Sequence, residues 1–319
     1  MLSILRSNQP FAIILVGLTW ALGVVWNWWF IEPEVSSWIF PQLNTYFSAS
    51  SWRILIFQSL IQLLTVGVIH RTYNSNEYIL GGNYFAAWIY ALFAALFSTV
   101  FPAHPFLLLH LLIILAMKQV FDVYRQNDVQ HHYFNAAFFL GVSMLIVPSS
   151  FVLALSLLVS LAYTRSGIWR EWAWSIVGFV LPFLIGICIV WLAEDLDLIQ
   201  QWRASVVGID LQSQLNWLAI PFGVWFLFGL KGLINSYRSS SNKARNTKST
   251  SLIFLLGCLS FVILNYDASW AALIFAALAN VALLLPYHFI GDKLKLHHRL
   301  LFGLLLIASM WPFISTAIA

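Results

Sequence analysis

Residues 165–197 read RSGIWREWAWSIVGFVLPFLIGICIVWLAEDLD. Arg165 and Arg170 stand at the start with Trp169, Trp172 and Trp174 interleaved, residues 172–193 carry no charge, and Glu194, Asp195 and Asp197 follow. A helix of that length covers a hydrocarbon core of roughly 30 Å at about 1.5 Å per residue. The stretch therefore reads as a membrane span with a basic, aromatic inner end and an acidic outer end.

The rest of the chain repeats the pattern. Of the 319 residues, 61% are hydrophobic and 9% charged, and the mean hydropathy is +0.83. Such a composition cannot furnish a water-facing surface, which excludes soluble domains, disorder and coiled coils. The two cysteines, Cys188 and Cys258, lie in apolar runs without metal-ligand or disulfide spacing and read as packing residues.

The fold class expected is all-α, a polytopic bundle of about eleven spans. They fall near residues 10–30, 53–70, 84–102, 104–121, 133–148, 150–164, 172–193, 215–234, 251–266, 269–289 and 299–318. The fifth and sixth are short, and Pro148-Ser149-Ser150 between them reads either as a hinge between two spans or as the tip of a re-entrant hairpin.

Charge sets the orientation. With the N-terminus cytoplasmic and the C-terminus outside, all but Arg53 and Arg203 of the 16 basic residues face inward. Glu32, Glu34, Glu194, Asp195, Asp197, Asp210 and Asp267 face outward. The net charge of +4 is thus a topology signal and gives no reason to invoke nucleic acid. Residues 1–234 form an eight-span block and residues 251–319 a three-span block. Between them, residues 235–250, rich in Ser, Asn and basic residues, read as a mobile cytoplasmic linker near anionic headgroups.

Tryptophan is abundant, 16 residues, and most of it lies at the outer ends of spans, Trp28, Trp29, Trp52 and Trp191 among them. An interfacial belt explains part of this, but a belt populates both interfaces. The alternative is an outward aromatic groove, with Glu194, Asp195 and Asp197 at its edge, that stacks and hydrogen-bonds sugar rings. In that reading Glu32 or Glu34 is a general base for transfer from a polyprenyl-linked sugar, and Arg53 and Arg203 hold the carrier phosphate. The plain alternative is solvated loop carboxylates that help set orientation.

Pro182 and Pro221 interrupt the spans flanking the second acidic loop, a feature of transporter cavities and of ordinary kinks. Gln58, Gln62 and His110 are polar residues at helical positions, expected to hydrogen-bond neighbouring helices. His131-His132 and His297-His298 lack the HxxxH or HxxHH spacing of membrane metal enzymes, so neither metal nor cofactor is expected. Arg165 and Arg170 are candidates for lipid or phosphate binding, or simply anchor the inner interface.

The segments ILRSNQP at the start, GGNYFAAWIYALFAALFSTVFP from Gly81, FNAAFFLGVSMLIVP from Phe134 and REWAWSIVGFVLPFLIG from Arg170 resemble a family of polytopic inner-membrane proteins from Bacteroidota. Some members carry the label β-carotene monooxygenase-like. The resemblance spans roughly residues 1–190, and at Ala137 the family pattern often has Gly. It implies a bacterial inner membrane and a Gram-negative envelope but no settled activity. Carotenoid cleavage needs iron held by four histidines, a set the sequence does not offer. Three functions follow as expectations: an accessory or structural subunit in envelope biogenesis, a polyprenyl-linked sugar transferase or polymerase, and a lipid or glycan transporter. The partners expected are membrane lipids, other membrane proteins and, for the transferase, the lipid-linked glycan.

Overall fold

The structure is a computed structural model that describes residues 10–30, 45–47, 50–75, 84–97, 105–123, 128–165, 167–192, 219–237, 240–264 and 279. Every regular element among them is helical. In chain order these are α1 (Pro10–Phe30), α2 (Ser51–Ser75), α3 (Phe85–Phe97), α4 (Pro105–Asp122), α5 (Gln130–Ile146), a 3-10 turn (Pro148–Ser150), α6 (Phe151–Arg165), α7 (Trp169–Leu192), α8 (Ala219–Tyr237) and α9 (Asn242–Leu264). Among the described residues five stretches are long and apolar enough to cross a membrane: Trp52–Asn74, Pro105–Asp122, Pro148–Arg165, Trp169–Leu192 and Asn242–Leu264. The protein is an α-helical membrane protein. The spans expected at 269–289 and 299–318 lie outside the described residues apart from Ala279.

Side-chain pairings give each helix its direction. Trp20 Nε1 of α1 donates to Gln62 Oε1 of α2 at 3.2 Å, and Gln62 Nε2 donates to the Ala94 carbonyl of α3 at 3.1 Å. His70 near the end of α2 stacks on Tyr84 just before α3, centroids 4.1 Å apart, so α2 and α3 are antiparallel. Tyr90 Oη of α3 lies 3.0 Å from His110 Nδ1 of α4. These buried bonds satisfy polar groups that lipid cannot, and they tie four helices together. Gln62 and His110 therefore join helices, as expected from their positions.

α5 packs most extensively on α7, and the two run parallel. Phe134 meets Trp174 edge-on, and farther along both helices Leu145 lies against Gly186. The approach is close because the contact positions are small. A Cβ on Gly141 would lie 2.6 Å from the Phe179 carbonyl oxygen, and one on Gly178 would collide with that of Phe134. Where apolar burial drives little association, backbone proximity of this kind supplies the packing attraction. Pro182 sits inside α7 without breaking it, its ring against the notch left by Gly141. Of the two readings of Pro182, a cavity-lining break and an ordinary kink, the break is not seen, since α7 is helical from Trp169 to Leu192 on both sides of the ring.

Pro148, Ser149 and Ser150 form the buried turn between α5 and α6, and Ser143 Oγ lies 3.2 Å from Ser150 Oγ. α6 returns antiparallel to α5, with Tyr133 Oη 2.8 Å from Thr164 Oγ1. α9 then packs antiparallel on α6, with Gly257 at Ser156 and Ser249 at Tyr163. Most of α7 outside its α5-facing stripe is exposed and apolar, Ile176, Val180, Leu184 and Ile187 among it. That is the arrangement of a helix whose surroundings are hydrocarbon.

The basic linker expected over residues 235–250 is replaced, from Asn242 onward, by the first turns of α9. Four hydrogen bonds made by three side chains stabilise the helical form. Ser241 Oγ accepts the Ala244 N–H at 3.3 Å, an N-cap. Lys248 Nζ donates to the Ser236 carbonyl at 2.9 Å and to Ser240 Oγ, and Arg245 Nε donates to the Tyr237 carbonyl at 3.3 Å. Two cations of α9 thus cap the carbonyl end of α8, where the helix dipole is negative. Lys248 is 3% exposed, so this cap is part of the packed structure.

Candidate functional site

α4, α6 and α8 end, and α9 begins, at one end of the bundle. There a cavity of about 480 Å³ is lined by Val123 of α4's end, Tyr163, Thr164 and Arg165 of α6, Tyr237 of α8, and Asn242, Arg245 and Asn246 of α9. Among the described residues its wall holds two guanidinium groups, two phenols and two side-chain amides, and no carboxylate. Tyr163 Oη and Tyr237 Oη each lie 3.3 Å from Ser249 Oγ, which holds the two rings at fixed separation. Arg245 Cζ lies 6.0 Å from the centre of the Tyr237 ring. From behind, Glu171 Oε1 accepts from Arg165 Nη1 at 3.1 Å, and the carboxylate is 2% exposed. That pair orients the Arg165 fork, because a buried carboxylate needs its cation.

Of the residues expected to bind phosphate or lipid, Arg165 lines this cavity. Arg170 stands exposed on the first turn of α7 beside exposed Trp169 and does not line it. Asn242, Arg245 and Asn246 escape the sequence reading because residues 235–250 read as a loop, and Tyr163 and Tyr237 because a tyrosine at the end of an apolar helix reads as an interfacial anchor. One signal could have found them. Asn242, Arg245, Asn246 and Ser249 recur at i, i+3, i+4 and i+7, one face of a helix, directly after an N-capping serine.

Two further pairs at this end are local. Lys118 Nζ lies 2.8 Å from Asp122 Oδ2, and His132 Nδ1 lies 2.8 Å from Gln119 Oε1. Burial holds the His132 imidazole below its usual range, helped by His131 and Lys118 and opposed by Asp122. Among the described residues no cluster of three His, Cys, Asp or Glu side chains could hold a metal.

The opposite end carries Arg53, Trp52 and Trp191. Arg53 Nη1 donates to the Tyr46 carbonyl at 3.1 Å, and its guanidinium lies over the Tyr46 ring at 4.5 Å and the Trp52 ring at 5.7 Å. Trp52 and Trp191 are exposed, 56% and 71%, at the start of α2 and the end of α7. Trp28 and Trp29 occupy the last turn of α1 at this same end, but their side chains are not among those described. Glu32, Glu34, Glu194, Asp195, Asp197 and Arg203 lie outside the described residues. An apolar groove of about 420 Å³ between Val24 of α1 and Trp52, Leu55, Ile56 and Leu63 of α2 lies beside Arg53.

Together, apolar helices joined by buried polar bonds and ends rich in aromatic and charged groups define a polytopic α-helical membrane protein. Over residues 36–318 the chain matches a family of unknown function, DUF6427, and it belongs to that family. The match supports the expected membership of a family without a settled activity and carries neither the Bacteroidota source nor the monooxygenase label. No curated protein and no solved structure matches the chain.

Proposed function

We propose that the protein is an accessory or structural subunit in envelope biogenesis, set in a bacterial inner membrane as an eleven-span bundle with its N-terminus cytoplasmic and its C-terminus outside. The observation that carries this reading is the use made of the interior polar groups. Gln62 is held between Trp20 and the Ala94 carbonyl, Tyr90 meets His110, and Tyr133 meets Thr164. Such groups cement a bundle, whereas a transporter leaves them facing a central passage. The unbroken α7 supports the same view.

The polyprenyl-linked sugar transferase is the second reading. It draws on Trp52, Arg53 and Trp191 sharing one end of the bundle, the end at which the chain passes from α1 toward Glu32 and Glu34 and from α7 toward Glu194. Arg53, already bonded to Tyr46 and stacked on Trp52, suits an interfacial anchor as well as a phosphate grip.

Purification from native membranes in mild detergent separates the two readings. An accessory subunit brings down one integral-membrane partner at fixed stoichiometry. A monodisperse lone protein, or loss of sugar transfer in Glu32→Gln at unchanged abundance, overturns the accessory reading.

A further inference from the structure

The cavity at the basic end has a chemistry that neither helix packing nor a docking role requires. We propose that it is a binding site for a phosphate ester carrying hydroxyl groups, seated between Arg165 and Arg245.

Charge is the first argument. Both guanidinium groups line the same cavity, and none of the lining residues among those described is acidic. Glu171 pairs with Arg165 from outside the lining and offsets part of that cation's charge, which leaves Arg245 as the main source of positive field and Arg165 as an oriented donor. A guanidinium is a planar fork of five donors that matches phosphate oxygens two at a time. Each fork is steadied through one identified nitrogen: Arg165 by Nη1 on Glu171, Arg245 by Nε on the Tyr237 carbonyl. Pre-orientation of this kind lowers the entropy lost on binding.

Size and lining are the second. About 480 Å³ exceeds what a bare phosphate fills and falls in the range of sites for small organic ligands. Asn242 and Asn246 offer both donor and acceptor atoms for hydroxyls, and Tyr163 and Tyr237 offer ring faces and phenolic oxygens. The first turn of α9 forms one wall, so its positive dipole end adds to the two arginines. The carbonyl ends of α6 and α8 also reach this region, and the cap by Arg245 and Lys248 offsets that of α8.

Such a ligand is either the headgroup of an anionic lipid or a soluble phosphate ester, and both use the same contacts. The site does not depend on the accessory reading, and its failure would leave that reading intact.

The test uses the full chain in nanodiscs of phosphatidylcholine. Binding is read by native mass spectrometry and by tryptophan fluorescence as three probes are added: inorganic phosphate, glycerol 3-phosphate, and phosphatidylglycerol in the bilayer. Expected is saturable 1:1 binding of glycerol 3-phosphate or phosphatidylglycerol, with inorganic phosphate weaker. Binding confined to phosphatidylglycerol assigns a lipid headgroup; comparable binding of glycerol 3-phosphate assigns a soluble ester. Arg165→Gln and Arg245→Gln should each weaken it about tenfold or more.

Because Arg245 also caps α8, Asn246→Asp serves as the second variant. It puts a carboxylate on the cavity wall without removing a cap, and should weaken binding to a similar degree. Exposed Arg170→Gln should leave affinity unchanged. No binding of any probe, equal loss in Arg170→Gln, or full affinity in Asn246→Asp overturns the proposal.

Discussion

Gly178 shows how much one missing side chain decides. The Phe134 carbonyl occupies the place its Cβ would take, so Gly178→Ala must push α5 and α7 apart. The expected loss is about 1–3 kcal/mol of stability, read from thermal inactivation or reversible unfolding in detergent. Gly67→Ala is the control, since nothing lies within 4 Å of its would-be Cβ. It should be neutral or raise stability by up to about 1 kcal/mol through helix propensity. Equal effects of the two would disprove the close-contact account. Both glycines look alike in sequence, because only the facing helix distinguishes them.

His132 supplies a residue-scale pH response. Its imidazole is held below the unfolded value of about 6.5, chiefly by burial. The unfolded chain therefore takes up a proton first, and the contribution of His132 to stability is full above about pH 6.5 and lost as pH falls through its folded value. The thermal midpoint of the native chain should drop more between about pH 7.5 and 5.5 than that of His132→Gln. Identical drops would mean that other groups carry the acid response.

Among the elements, α9 departs most from expectation. Its first turns hold Asn, Lys, Arg, Ser and Thr, a composition that reads as loop because hydropathy scales score each residue by type. What makes these turns helical is the carbonyl end of α8, which Lys248 and Arg245 cap. Lys243, Arg245 and Lys248 should accordingly resist trypsin in the folded protein, and amides near 245–250 should exchange slowly. Lys248→Met, which removes the Ser236 and Ser240 bonds, should speed cleavage at Arg245. Rapid cleavage of the unaltered chain there would restore the mobile-linker reading. The apolar helices α2, α4 and α7, by contrast, were legible from length and hydropathy, since the bilayer's thickness imposes both.

At the scale of the whole molecule, the alternation of helix direction gathers Arg165, Arg170, Lys243 and Arg245 at one end and leaves Trp52, Arg53 and Trp191 at the other. If the basic end is cytoplasmic, Arg170→Cys in a background lacking Cys188 and Cys258 should react with an impermeant maleimide only after the inner face is opened. Trp191→Cys should react from outside. The reverse pattern would invert the proposed topology.

That this is a helical membrane protein, and roughly where its helices lie, could be read from composition and hydropathy, because crossing hydrocarbon demands long apolar helices whatever they pack against. The sequence also marked Arg165 as a candidate, through its place beside an inner interface. Which helices meet, that Gly141 and Gly178 set the closeness of α5 and α7, and that Arg245, Tyr163 and Tyr237 share a cavity with Arg165 emerge from the packing alone. The reason is physical. Membrane insertion depends on each helix separately, whereas a cavity at helix ends depends on which ends are brought together, and that follows from packing and capping between segments distant in sequence.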